Sequence, residues 1–99
     1  TLAKADRLHY QQTSMTHAML FTGVDVAEGK TRRWRVENSW GEDKGRGQKG
    51  FYTMNDSWFD QYMFEIAAPV SRLPQRLRKA LERSPKQLAP WDPMGALAR

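Results

Sequence analysis

Two neighbouring stretches decide the fold: His17-Ala18-Met19-Leu20-Phe21-Thr22-Gly23-Val24-Asp25-Val26, and Arg32-Arg33-Trp34-Arg35-Val36-Glu37-Asn38-Ser39-Trp40. The first is a nearly continuous apolar run with one glycine inside. Phe, Thr and Val favour a pleated surface, so the run predicts a buried strand over 17–26, bent at Gly23. The second alternates. Trp34, Val36 and Asn38 fall on one side, and Arg33, Arg35, Glu37 and Ser39 on the other. Ala27 to Thr31 is turn-like, so the two stretches are expected to pair as a hairpin over 17–40.

Outward from the hairpin, Gly41 to Gly50 holds four glycines and five charged residues and predicts a loop. Phe51 to Met54 returns as a third strand. Asn55 or Asp56 can cap a short helix through Trp58 to Tyr62 by accepting from its first amides. Met63 to Ala67 predicts a fourth strand, ended by Pro69. Over 72–83, Leu73, Leu77, Ala80 and Leu81 form an apolar stripe beside Arg72, Arg76, Lys79 and Arg83, which predicts the longest helix, with Pro74 in its first turn. Before the hairpin, Leu2, Ala5 and Leu8 could support one helical turn. After residue 84, Pro85, Pro90 and Pro93 predict an extended tail, and Trp91, Met94 and Leu97 imply that it lies against a groove. The expected organisation is a lead-in over 1–14, a half-barrel over 15–70, a helix over 71–84 and an extended arm over 85–99. The fold class is α+β, with an antiparallel, barrel-like sheet of about four strands.

Ninety-nine residues allow one small domain, and 39% apolar residues give it a modest core. No run approaches the ~20 apolar residues of a membrane span, and no basic-then-apolar leader is present. The chain has no cysteine, which removes disulfides, thiolate metal sites and a cysteine nucleophile of its own. The net charge of +5 is concentrated in residues 30–50 (+4) and 71–99 (+5), against −1 in 1–29 and −3 in 51–70. A basic excess admits an anionic partner but carries no information about fold.

Gly45-Arg46-Gly47-Gln48-Lys49-Gly50 matches a dinucleotide-binding pattern. That chemistry needs a helix after the glycines, and here a strand follows, so the match is set aside. Asn55-Asp56-Ser57 fits a glycosylation sequon, but a helix cap is the better reading. His9 and His17 lack the spacing of a zinc site, so no metal and no cofactor is expected. Ser14 and Ser39 lie outside any nucleophile-elbow context.

His17 gains meaning from its surroundings. Met15-Thr16-His17-Ala18-Met19, Phe21 to Val24 and Trp34-Arg35-Val36-Glu37-Asn38-Ser39-Trp40-Gly41-Glu42 together resemble the C-terminal half of papain-like cysteine peptidases. The bleomycin hydrolase/aminopeptidase C branch is closer, through Lys49-Gly50, Trp58-Phe59-Asp60 and Ala89-Pro90-Trp91-Asp92-Pro93-Met94-Gly95-Ala96-Leu97-Ala98. The resemblance implies His17 as general base, Asn38 as the group that orients it, and Trp40 as a shield over their hydrogen bond. It also implies an arm, Trp91 to Arg99, whose terminal carboxylate, on Arg99 or on Ala98 if Arg99 is trimmed, pairs with the substrate's free amino group.

Family members place the nucleophilic cysteine roughly 130–150 residues before the histidine. Only sixteen residues precede His17. The expectation is therefore a C-terminal segment of a cysteine aminopeptidase, inactive alone, whose partners are an upstream cysteine-bearing segment and peptide substrates. The complete protein is expected in the cytoplasm, away from membranes, as a homo-hexamer. Two alternatives stand beside this reading. One is a non-enzymatic assembly module. The other, less favoured, is a nucleic-acid binder using Arg32, Arg33, Arg35 and the Arg72–Arg83 face.

Overall fold

A computed structural model describes residues 2–43 and 49–97. Its centre is a hairpin, as expected, but the first strand begins at Leu20 rather than His17 and is not buried throughout: it alternates, leaving Leu20, Val24 and Val26 exposed. Strands β1 (Leu20–Ala27) and β2 (Lys30–Glu37) pair antiparallel, and β3 (Phe51–Asn55) pairs antiparallel with the far side of β2. Glu28 and Gly29 join β1 to β2 with φ of 54° and 75°. Two consecutive positive-φ residues make a primed two-residue turn, whose twist matches that of the flanking strands. The bend expected near Gly23 is a register shift between Phe21 and Gly23. Along β2 and just beyond it, Trp34 is half-buried while Val36 and Asn38 are buried. The alternation therefore faces as the sequence indicates.

Among the described residues the sheet has three strands in the order β1-β2-β3 and does not close. The barrel-like sheet of about four strands is thus corrected, because residues 63–67 form no strand. The cause is distant in sequence. Helix α1 (Lys4–His9) lies beside α2 (Asp56–Tyr62), and the Lys4 ammonium donates to the Asp60 carbonyl (3.0 Å) and to the Met63 carbonyl. It also sits 5.1 Å from the centre of the Phe64 ring. The Arg7 guanidinium donates to the Gln61 carbonyl and lies 4.6 Å from the Tyr62 ring centre. Two cations from α1 thus satisfy carbonyls at the C-terminal end of α2. Met63 and Phe64 are both half-buried there.

Helix α2 is held to the sheet by aromatic rings. Trp34 stacks on Phe59 (centroids 5.0 Å apart), and Phe21 meets both rings edge-on at 5.4 and 5.9 Å. The Trp34 Nε1–H donates to Asp56 Oδ1 (3.0 Å). The expected side-chain cap is absent: Asn55 occupies the N-cap position without a cap hydrogen bond, and the Asp56 carboxylate receives the indole instead.

The helix expected over 72–83 is shorter. A 3-10 turn at Val70–Arg72 precedes α3 (Gln75–Leu81), and Pro74 is its N-cap with ψ of 149° rather than a first-turn residue. Leu73 is extended (ψ 144°), as the residue before a proline prefers. The apolar stripe of α3 is open, with Leu77 42% and Leu81 63% accessible.

The arm over 85–99 is not extended throughout. Asp92 accepts the Met94 N–H on its carboxylate and the Gly95 N–H on its carbonyl (both 2.9 Å), which starts a 3-10 turn over Pro93–Leu97. That turn packs on α1 and buries Ala96. Trp91 does not lie in a groove; it is 85% exposed.

The chain exposes 8672 Å². A compact monomer of its 11.5 kDa mass exposes about 5,800 Å². The radius of gyration, 16.3 Å, likewise exceeds the roughly 13 Å of a compact domain of this length. Among the described residues the buried apolar side chains are Val36, Met54 and Ala96. No helix among them is long and apolar enough to cross a membrane.

Candidate active site

The site forms where the hairpin opens. Leu20 pairs with Glu37 at the last rung between β1 and β2, so the chain just before β1 faces the chain just after β2. His17 lies on the first of these segments and Asn38 on the second. Their side chains meet at 2.8 Å, His17 Nε2 to Asn38 Oδ1.

A neighbouring amide fixes the direction of that bond. Ser39 N–H also reaches Asn38 Oδ1, at 2.8 Å. An amide N–H needs an acceptor, so the atom there is the carboxamide oxygen and His17 Nε2 must be the donor. The neutral imidazole therefore carries its proton on Nε2, and Nδ1 holds the free lone pair. Nδ1 has no hydrogen-bond partner among the described residues. Asn38 is buried, held by its own N–H to the Gly50 carbonyl (3.0 Å), while His17 is exposed. A fixed carboxamide thus holds an accessible base by its far nitrogen.

Trp40 lies against the imidazole, with ring centres 5.4 Å apart and planes inclined by 32°. Tyr52 of β3 meets the other ring edge-on at 6.4 Å. The indole is itself 60% exposed.

The structure brings His17, Asn38 and Trp40 together. Arg99 and Ala98 lie outside the described residues, and so does most of the glycine loop, 44–48. His9 is elsewhere, exposed on α1 and edge-on to Tyr10. Within the basic cluster of β2, Arg33 pairs with Asp25 (2.9 Å) and the Arg35 guanidinium covers Phe51 at 3.9 Å. Those two cations are already engaged within the sheet.

A sequence model of the Peptidase C1-like family matches residues 1–95. The chain belongs to that family. It is 46% identical over 101 residues to aminopeptidase C of Lactobacillus helveticus, with 99% of this chain and 22% of that protein covered. It is 48% identical over 98 residues to bleomycin hydrolase of Rattus norvegicus, covering 96% of this chain and 21% of that protein. The crystal structure of PepW from Lactobacillus rhamnosis HN001 superposes with a TM-score of 0.77 at 48% identity, over 98% of this chain and 22% of that one. This Peptidase C1-like chain therefore spans about a fifth of the length of the relatives it matches.

Reading the sequence missed three contributors to the site. The Ser39 amide acts through main chain and leaves no residue signature. Tyr52 lies in a strand recognised only as apolar. Gly50 was legible in principle, because pairing residue 37 with residue 51 puts residue 38 opposite residue 50.

Proposed function

We propose that this chain is the base-bearing part of a cysteine aminopeptidase whose nucleophilic thiol comes from a segment not contained in these 99 residues. The observation that carries the proposal is the 2.8 Å contact of His17 Nε2 with the buried Asn38 carboxamide, which directs the lone pair of Nδ1 outward. A thiol placed at Nδ1 would give up its proton there, forming a thiolate–imidazolium pair. Nε2–H would stay on Asn38 through the cycle and keep the ring in plane.

In this reading the thiolate adds to the carbonyl carbon of the first peptide bond. As the C–N bond breaks, imidazolium Nδ1–H protonates the departing amine, leaving a thioester on sulfur. Nδ1 then takes a proton from water as that water attacks the thioester, which frees the acid and restores the thiol. Trp40 lowers the local dielectric on one side of the His17–Asn38 bond, which strengthens it.

The large exposed surface supports the same reading. The surplus over a compact monomer is about 2,900 Å², of the order buried in a permanent interface. A cysteine-bearing segment packed there would cover the side chains left open around the sheet and α3. The terminal carboxylate, on Arg99 or Ala98, is the proposed anchor for the substrate's ammonium, and the packing of Ala96 on α1 would fix the base of that arm. Action on peptides and assembly as a homo-hexamer rest on the family resemblance.

The test is to express this chain joined to its cysteine-bearing segment and measure release of N-terminal residues from peptides. The expected result is thiol-dependent turnover that falls by roughly 10²–10⁴-fold in His17→Ala, the usual contribution of general acid–base catalysis. Turnover indifferent to that substitution defeats the proposal.

A further inference from the structure

We propose that Gly50 is a positioning residue for the His17–Asn38 pair, because its missing side chain lets the Gly41 carbonyl seat against the start of β3 and so keeps Trp40 on the His17 ring. The inference rests on the reading of His17 and Asn38 given above and deepens it.

Gly50 is buried, with φ of 88°. It stands one position beyond Glu37–Phe51, the last pair of β2 and β3, and its carbonyl accepts the Asn38 N–H at 3.0 Å. A Cβ on Gly50 would lie 3.0 Å from the Gly41 carbonyl oxygen and 3.4 Å from its carbon. Both are backbone atoms, so no side chain can swing aside. Gly41 itself has φ of 95° and follows Trp40 directly.

A side chain at Gly50 therefore has two ways to find room. If Gly41 retreats, it pulls Trp40 off the imidazole. If Gly50 retreats, its carbonyl leaves the Asn38 N–H, and Asn38 is the group that holds Nε2 of His17. Both routes end in the same pair of side chains. Gly29 is the contrasting case: its φ is 75°, yet a Cβ there meets nothing within 4 Å.

The test compares Gly50→Ala with Gly29→Ala in the complete protein, with rates expressed per thiol titratable by an irreversible inhibitor. Normalising in this way removes any loss of folded enzyme. Misplacement of reacting groups by about 1 Å can cost on the order of 100-fold, and the displacement needed here is a few tenths of an ångström. Gly50→Ala is therefore expected to lower kcat about three- to tenfold while KM changes by less than about twofold, the signature of an interaction used in the chemical step. Gly29→Ala is expected to leave both constants unchanged. Equal kcat per thiol in the two variants overturns the proposal.

Should Gly50→Ala not accumulate as folded protein, hydrogen exchange of the Asn38 amide in the unsubstituted complete protein decides. Protection comparable to that of the β2 amides supports the closure at Gly50, and exchange at the rate of an open loop overturns it. Failure of the underlying reading would show separately, as activity retained in His17→Ala.

Discussion

Replacing Trp34 should loosen α2 from the sheet, and the structure allows the size of the effect to be worked out. Trp34 makes two aromatic contacts, stacked on Phe59 and edge-on to Phe21, and one hydrogen bond to Asp56. Trp34→Phe keeps a ring for the contacts and removes the hydrogen bond. A bond to a charged acceptor is worth about 1.5–3 kcal/mol, but the freed Asp56 is only partly buried and can turn to water, so about 1 kcal/mol is expected. For a domain of this size that lowers Tm by about 4–8 °C. Trp34→Ala removes everything. Truncation of a buried Trp costs about 3–5 kcal/mol, and half-burial here brings the figure to about 3. Against a total stability of about 5–15 kcal/mol, that should lower Tm by more than about 12 °C. Thermal unfolding of the two variants followed by near-ultraviolet circular dichroism reads both effects. A Trp34→Ala chain melting within about 3 °C of the parent would show that the ring does not hold α2.

Two further outcomes are expected. Glu28 occupies a left-handed position in the hairpin turn, where Asn is better tolerated, so Glu28→Asn should raise stability by about 0.5 kcal/mol, seen as a Tm gain of a few degrees. Deleting residues 91–99 from the complete protein tests the proposed amino-group anchor. Cleavage of N-acetylated peptides would then rise while aminopeptidase turnover falls, and unchanged product patterns by mass spectrometry would count against the arm's role.

The hairpin was legible because its signal is local. Trp34, Val36 and Asn38 alternate with charged residues, and burial follows that alternation wherever the sheet has one covered face. The nearness of His17 to Asn38 agrees with the same pattern, since the end of β2 lies opposite the segment entering β1, but only the family resemblance singled out these two residues. The missing fourth strand was not legible, because Met63 is claimed by Lys4, a partner 59 residues away. The aromatic cluster was hidden for a similar reason: Phe21, Trp34 and Phe59 come from three different elements. The shortened α3 has a local cause. Leu73 precedes a proline, and the steric demand of the proline ring outweighs the apolar stripe at the helix start. The arm's 3-10 turn likewise follows from Asp92 preceding Pro93, a turn signal inside a stretch that otherwise suggests extended chain.

The central claim is that imidazole and carboxamide act as one unit, and a double-mutant cycle on kcat/KM in the complete protein tests it most directly. Asn38→Ala alone should cost about 10–100-fold, since it frees the imidazole from its tautomer and orientation; the same change in a His17→Ala background should cost almost nothing more. Independent losses that multiply in the double variant would contradict the account.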